Sequence, residues 1–194
     1  MNRLNQIDPT HATGEARQLL ETVQAKLGRV PNLFRVLANA PAALEGYLSF
    51  SDALAGGTLN ARVREQIALA VAEANLCSYC LSAHTFIGGK VGLTEKEIAD
   101  ARRATAATDK ADAILKLARC IIVHRGEICD DKLVAARASG LSDGEIVETV
   151  AHAALNIFTN YINHVALTVV DFPEVKPGDI AAPAEALATG CGCA

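Results

Sequence analysis

Two cysteines, a histidine and two glutamates lie within twenty residues and form the densest group of reactive side chains in this sequence. They are Glu65, Glu73, Cys77, Cys80 and His84. The thiolate is the reactive form of cysteine, and a helix N-terminus or a nearby cation lowers the thiol pKa from its usual value of about 8.5. A second thiol nearby can condense with a sulfenic acid and form a disulfide. The group therefore contains the parts of a thiol peroxidase or a dithiol-disulfide oxidoreductase: an attacking thiolate, a resolving thiol and a base.

Two helices are predicted to position these side chains. From Arg62 to Leu76, apolar residues recur at the spacing of a helix with one buried face. A second helix is predicted from Tyr79 to Ile87, which places Cys80 in its first turn. His84 then lies one turn after Cys80 on the same face, within reach of the thiol proton.

The local spacing leaves the role of the two glutamates open. On a straight helix with a rise of about 1.5 Å per residue, Glu65 would lie roughly 18 Å from Cys77. Glu73 would be one turn away from Cys77 and therefore its neighbour. Glu65 can take part only if the chain folds back and brings His84 toward the first helix.

Glu65, Cys77, Cys80 and His84 match the E-x11-C-x2-C-x3-H pattern of the alkyl hydroperoxidase D-like proteins, which belong to the carboxymuconolactone decarboxylase superfamily. The chain resembles this family most clearly from about residue 61 to 98, and more loosely over roughly residues 30 to 175. The resemblance implies an all-α helical bundle that assembles as a homo-oligomer, either a trimer or a hexamer.

The resemblance also implies a role for each matched residue. Cys80 would attack the peroxide, Cys77 would resolve it by forming the Cys77-Cys80 disulfide, and His84 with Glu65 would move protons. The substrate would be a hydroperoxide and the reductant a protein or a small thiol. This chemistry requires no bound cofactor.

Two further residues are candidates for supporting roles in the motif. Tyr79 departs from the family pattern, because the best-known members carry a histidine between the two cysteines. Glu73 remains the alternative to Glu65, since the resemblance favours Glu65 and the spacing favours Glu73. The proton relay in this chain is therefore expected to differ in detail.

Residues 1–175 are predicted to form one all-helical domain built from two weakly similar repeats. The segments Gly92–Ile98 and Gly140–Ile146 align at an offset of 48 residues, and each contains a capping box. We place the catalytic repeat at about 60–105 and a degenerate repeat at about 108–168. The degenerate repeat lacks counterparts of the four motif residues.

A long helix is predicted from about Asp143 to Val169. Its apolar residues between Ile146 and Val165 form one stripe, which we interpret as core. His164 is a candidate supporting residue, because a histidine ring with apolar neighbours requires partners for its nitrogens. The other polar residues of interest on this helix are His152, Asn156, Asn160 and Asn163.

Residues 176–194 are predicted to be a flexible tail that ends in Cys191-Gly-Cys193-Ala194. The family resemblance does not account for this second pair of cysteines. Cys191 and Cys193 could pass electrons to the Cys77-Cys80 disulfide, bind a soft metal or an arsenical, or simply be exposed to solvent.

The composition argues against several other classes of protein. The 194 residues carry a net charge of −4 and no basic cluster, so nucleic acid is not an expected partner. No apolar run reaches the eighteen or so residues of a membrane span, and the N-terminus lacks a hydrophobic signal core. We therefore predict a cytoplasmic protein without a membrane partner, whose thiols stay reduced between turnovers.

The main prediction is a cysteine-dependent alkyl hydroperoxide reductase with an antioxidant function. One alternative is a zinc site with Cys77, Cys80 and His84 as ligands, although all three would come from one helix start and no second C-x-x-C or paired histidines complete a closed site. No metal is expected for this reason. A general dithiol-disulfide oxidoreductase, a carboxymuconolactone decarboxylase-like enzyme and a metal- or arsenical-binding thiol protein remain further alternatives.

Overall fold

The computed structural model describes residues 3–178, and within this range the chain forms nine α-helices and no β-strand. The prediction of an all-α bundle is confirmed. Among these residues, no helix combines the length and hydropathy needed to cross a bilayer. In chain order the helices are α1 Gly14–Leu27, α2 Asn32–Leu37, α3 Pro41–Ala55, α4 Ala61–Ala74, α5 Ser78–Lys90, α6 Glu95–Arg102, α7 Asp109–Val123, α8 Asp130–Ala138 and α9 Asp143–Ala166.

Local sequence signals determine where several of these helices begin. Both predicted capping boxes are formed. The Thr94 hydroxyl caps α6 and the Ser142 hydroxyl caps α9, each by accepting a backbone N–H bond from the glutamate three residues later. Each glutamate side chain in turn accepts the backbone N–H of its capping residue.

Helix α4 lies at the centre of the bundle, where it packs against α5, α6, α7 and α9. The sequence pattern predicts one buried face, but every residue from Gln66 to Ala72 is buried. The reason is that neighbouring helices cover α4 on several sides. Alanines at 68, 70 and 72 keep its surface small enough for this close packing.

The chain reverses direction between α4 and α5. Leu76 adopts a left-handed conformation with φ of +55°. The backbone N–H of Cys77 donates to the carbonyl of Ala72 at 2.9 Å, which closes the end of α4. Helix α5 therefore folds back and packs along α4.

Only part of the apolar stripe on α9 faces the core. Ile146 and Ile157 pack against it. Val150, Tyr161 and Val165 belong to the same stripe but are exposed, so their interpretation as core is wrong. The buried side of α9 is mainly polar and consists of Thr149, His152, Ala153, Asn156, Thr159, Asn160, Asn163 and Ala166.

The starts of α4, α5 and α6 precede those of α7, α8 and α9 by 48, 52 and 48 residues. The offset in the sequence alignment was also 48 residues. The internal duplication itself stays a prediction.

The segment that follows α9 returns over α5. The backbone N–H of Val175 donates to the Ser82 hydroxyl at 2.9 Å. Lys176 and Gly178, which we placed in the tail, are also held, because the Lys176 carbonyl accepts from Arg102 and the Gly178 N–H donates to Glu73. The described part of the C-terminal segment is thus fastened to the bundle through residue 178.

Glu148 of α9 anchors the loop between α3 and α4. Its carboxylate accepts the backbone N–H groups of Thr58 at 2.8 Å and Leu59 at 3.0 Å, and also the Thr58 hydroxyl. A Cβ at Gly57 would lie 2.6 Å from this carboxylate, so glycine permits the close approach. Burial alone would raise the pKa of Glu148, but the hydrogen bonds outweigh it and hold the pKa below its ordinary value.

We predict that Glu148→Gln lowers the free energy of unfolding by roughly 1–2 kcal/mol at pH 7. Because the folded-state pKa is depressed, the carboxylate stabilises the protein above the unfolded-state pKa of about 4.3, and this contribution is lost as the pH falls through the folded-state value. Urea unfolding at pH 7 and pH 4 measures the difference. Glu127→Gln, at an exposed site, is the control. If the difference in unfolding free energy between wild type and Glu148→Gln is as large at pH 4 as at pH 7, the Glu148 carboxylate does not anchor the loop in its charged form.

Candidate active site

Cys77 and Cys80 are joined by a disulfide at the start of α5. Cys77 is the N-cap of the helix and Cys80 lies in its first turn, as expected from the sequence. Both residues are buried, with exposed fractions of 1% and 3%. The two sulfur atoms therefore lie within the protein rather than on its surface.

A helix N-terminal hydrogen bond reaches one of the two cysteines, but not the one we expected. The backbone N–H of Cys80 donates to Cys77 Sγ at 3.3 Å. The cause is the helix start at Ser78, which makes the side chain of Cys77 the capping group. Stabilisation by the helix N-terminus thus acts first on Cys77.

Cys80 receives a hydrogen bond from a residue that the motif does not contain. The Asn163 amide on α9 donates from Nδ2 to Cys80 Sγ at 3.2 Å. Asn163 is 5% exposed. One sequence feature points to Asn163: Asn156, Asn160 and Asn163 recur at helical spacing on a side of α9 away from the apolar stripe.

The reversal between α4 and α5 brings Glu65 to His84. Glu65 Oε2 lies 2.8 Å from His84 Nδ1, and about a fifth of each side chain is exposed. Glu73, the alternative, instead pairs with Arg102 at 2.9 Å and accepts the Gly178 N–H. Of the two glutamates, the structure thus places Glu65 beside the histidine.

The charge of Glu65 affects the pKa of two other side chains, Tyr47 and His152. Burial raises the pKa of Tyr47 to about 12, and the Glu65 carboxylate adds to this effect. Burial lowers the pKa of His152, assisted by the positive charge of Arg64, while Glu65 opposes the shift. Among the described residues, Nε2 of His152 has no hydrogen-bond partner.

Tyr79 contacts the C-terminal segment. Its hydroxyl donates to Asp171 at 2.8 Å and accepts the Leu33 N–H at 3.1 Å. Burial raises the pKa of Tyr79, although the Leu33 hydrogen bond opposes the shift. Asp171 is also paired with Arg29. Tyr79 therefore links the N-terminal segment, through Leu33, to the C-terminal segment, through Asp171.

The remaining candidates from the sequence lie elsewhere. His164 is exposed, and its Nε2 lies 2.9 Å from the carbonyl oxygen of Asn75. Cys191 and Cys193 lie outside the described residues. Within residues 3–178, no group of three or more histidine, cysteine or acidic side chains is arranged to hold a metal ion.

A family model matches the central part of this chain. Residues 41–122 match the model of the carboxymuconolactone decarboxylase family. This segment is similar to that family. It extends from α3 into α7 and includes Glu65, Cys77, Cys80 and His84. The superfamily expected from the cysteine motif is thereby confirmed.

Several solved structures share the fold of this protein. The alkylhydroperoxidase AhpD core of an uncharacterized peroxidase-related protein from Ralstonia eutropha JMP134 aligns with a TM-score of 0.78 and 24% identity, covering 88% of this chain and 92% of that chain. A peroxidase-related protein from Silicibacter sp. TM1040 aligns with a TM-score of 0.75 and 23% identity, covering 86% and 89%.

A third similar structure is named for a different reaction. The debrominase Bmp8 aligns with a TM-score of 0.74 and 14% identity, covering 87% of this chain and 92% of that chain. No curated protein sequence matches the chain. At these identities the structural likeness establishes the fold alone, so the reaction of this protein must be argued from its own site.

Proposed function

We propose that this protein is an antioxidant enzyme that reduces organic hydroperoxides through the Cys77-Cys80 pair. The observation that carries the proposal is the buried cysteine pair whose helix also holds His84 against Glu65. A nucleophile, a resolving thiol and an oriented base are the three parts that a cysteine peroxidase requires.

The reaction balances without a bound cofactor. The Cys80 thiolate attacks the terminal oxygen of ROOH, so that an S–O bond forms, the O–O bond breaks and RO⁻ leaves to take up a proton. The Cys77 thiolate then attacks Cys80 Sγ, forming the disulfide and releasing the sulfenic oxygen as water. The peroxide gains two electrons, the dithiol loses them, and a reductant restores the thiols.

Glu65 and His84 supply the proton transfer in this scheme. The Glu65 carboxylate holds Nδ1 of His84 at 2.8 Å, and in the tautomer that donates from Nδ1 the other ring nitrogen is free to accept a proton. His84 lies one helical turn after Cys80. It can therefore take the thiol proton before the attack and return it to the leaving alkoxide.

The burial of the two cysteines favours a small substrate. With exposed fractions of 1% and 3%, neither sulfur is open to a folded protein disulfide. This observation supports the peroxidase over a general dithiol-disulfide oxidoreductase. In the proposed cytoplasmic setting, the reductant must be a small thiol or a protein that opens the site.

An apolar groove supports an organic hydroperoxide as the substrate. The groove lies between α3 and α9, has a volume of about 370 Å³, and is lined by Ala43, Gly46, Tyr47, Phe50, Ala154, Leu155 and Phe158. Tyr47 lines the groove, and the Glu65 carboxylate adds to the burial that raises the pKa of its hydroxyl group, which supports a groove near Glu65. The alkyl or aryl part of a hydroperoxide could be buried here at the expense of water.

Homo-oligomer formation is part of the same proposal. Val147, Val150, Tyr161 and Val165 lie on the outer side of α9 and are exposed. An exposed apolar stripe of this kind is typical of a protein-protein interface. It supports assembly of a trimer or hexamer through α9.

The cysteine assignment predicts different outcomes for two serine variants. Cys80→Ser should lower peroxidase activity by at least about 100-fold, because the attacking sulfur is lost. In Cys77→Ser, Cys80 should still attack one peroxide molecule and then remain as a sulfenic acid, since the resolving thiol is missing. Steady-state kinetics and dimedone labelling with peptide mass analysis measure both results. If Cys80→Ser keeps its peroxidase activity and dimedone labels Cys77 in this variant, the two cysteine roles are reversed.

The position of Glu65 predicts a contrast with Glu73. Glu65→Gln should lower kcat/KM for the peroxide by roughly 100-fold, because general acid-base catalysis typically contributes this much. Glu73→Gln is the matched control, since it changes the same group on the same helix but faces Arg102. Its kcat/KM should stay within about twofold of wild type. Equal losses in both variants would contradict the proton relay.

The groove predicts selectivity by substrate size. Ala154→Phe fills the groove and should raise KM for cumene hydroperoxide roughly tenfold, with little effect on hydrogen peroxide, because only the aryl group needs the space. Ala42→Phe, the same change at an exposed position of α3 that does not line the groove, is the control. A variant that affects both peroxides equally would show that the groove does not hold the substrate.

A further inference from the structure

We propose that the Asn163 side-chain amide is a catalytic hydrogen-bond donor to Cys80 and makes Cys80, rather than Cys77, the attacking cysteine. Its Nδ2 lies 3.2 Å from Cys80 Sγ, and the contact joins residues 83 positions apart in the sequence. The proposal rests on the proposed function in that it names the group that activates the attacking sulfur.

The need for such a donor follows from the geometry at the start of α5. The backbone N–H of Cys80 is directed at Cys77 Sγ, so the helix N-terminus stabilises the Cys77 thiolate. Cys80 is 3% exposed and receives little solvation from water. Burial disfavours a thiolate unless a donor or a positive charge lies near it. Asn163 supplies that donor from α9, and it does so to Cys80 alone.

The oxidised site fixes which end of the Asn163 amide faces the sulfur. A disulfide sulfur carries no hydrogen, so only the NH₂ end of the amide can form a hydrogen bond with Cys80. On reduction the same N–H group faces a thiolate, and a hydrogen bond to an ionised acceptor is about twice as strong as one between neutral groups. The donor therefore favours the charged, reactive form of Cys80.

The other end of the amide does not compete for this arrangement. Asn163 Oδ1 is buried and has no hydrogen-bond partner among the described residues, where it is one of six such side-chain atoms. No second hydrogen bond in residues 3–178 therefore fixes the amide in another orientation. Asn156 lies two turns earlier on α9, and its side-chain amide donates to the carbonyl oxygen of His152 instead.

Titratable groups on α5 and on the elements packed against it must be separated from the effect of Asn163. Helices α4, α6 and α9 pack against α5. On α4 and α6, Glu73 and Arg102 neutralise each other as an ion pair. Further titratable groups on these elements are Cys77, Tyr79 with its partner Asp171, His84 with Glu65, and His152.

The test compares Asn163→Leu with Asn156→Leu, a matched change at a buried asparagine on the same helix that does not contact a cysteine. The reduced proteins are alkylated with iodoacetamide across a range of pH, and the rate at Cys80 is measured by peptide mass analysis. Asn163→Leu should move the midpoint of the Cys80 profile upward by about one pH unit. Below that midpoint the Cys80 rate should fall about tenfold. Asn156→Leu should leave the profile where it is.

A second measurement uses the wild-type protein and does not depend on the folding of a variant. The side-chain N–H resonances of Asn163 in the reduced protein should shift with pH at the same midpoint as the alkylation of Cys80. An unchanged Cys80 profile in folded Asn163→Leu, or Asn163 resonances that do not follow that midpoint, would overturn the proposal. Alkylation needs no peroxide, so this result tests the Asn163 proposal even if the protein has no peroxidase activity.

Discussion

The reversal of the chain at Leu76 is the constraint on which the site depends. A straight continuation of α4 would separate Glu65 from the cysteines by several turns, but the left-handed backbone at Leu76 folds α5 back along α4. The cost of this conformation for a residue with a side chain is about 1–2 kcal/mol. It is offset by the burial of α5 against the central helix, and the result is the 2.8 Å contact between Glu65 and His84.

Helix α9 completes the site by placing its polar side inward. Asn160 hydrogen-bonds Asn75 in the turn between α4 and α5, and Asn163 donates to Cys80. A purely apolar inner face would pack as well, but it would leave the side-chain N–H of Asn75 without an acceptor and the sulfur of Cys80 without a donor. Four large apolar residues of α9 remain on its outer side, where they are available to a second subunit: Val147, Val150, Tyr161 and Val165.

The sequence was sufficient where a local signal determines the structure. Both capping boxes and the position of Cys80 in a first turn follow from spacing and capping residues, while the all-α class was implied by the family resemblance. The inward side of α9 could not be predicted in this way, because periodicity shows which residues share a face but not which face is buried. Spacing on a straight helix also could not place Glu65 beside His84, since Leu76 carries no glycine-like signal for a reversal. Asn163 was missed as a partner of Cys80 because their contact is long-range.

The central claim is that a hydroperoxide oxidises this cysteine pair directly. The most direct test adds one equivalent of cumene hydroperoxide to the reduced, metal-free protein, blocks the remaining thiols at once, and maps the products by intact and peptide mass analysis. The account predicts a rapid loss of two hydrogens located at Cys77-Cys80 and one equivalent of the corresponding alcohol. Cysteines that remain reduced while the peroxide persists would contradict it.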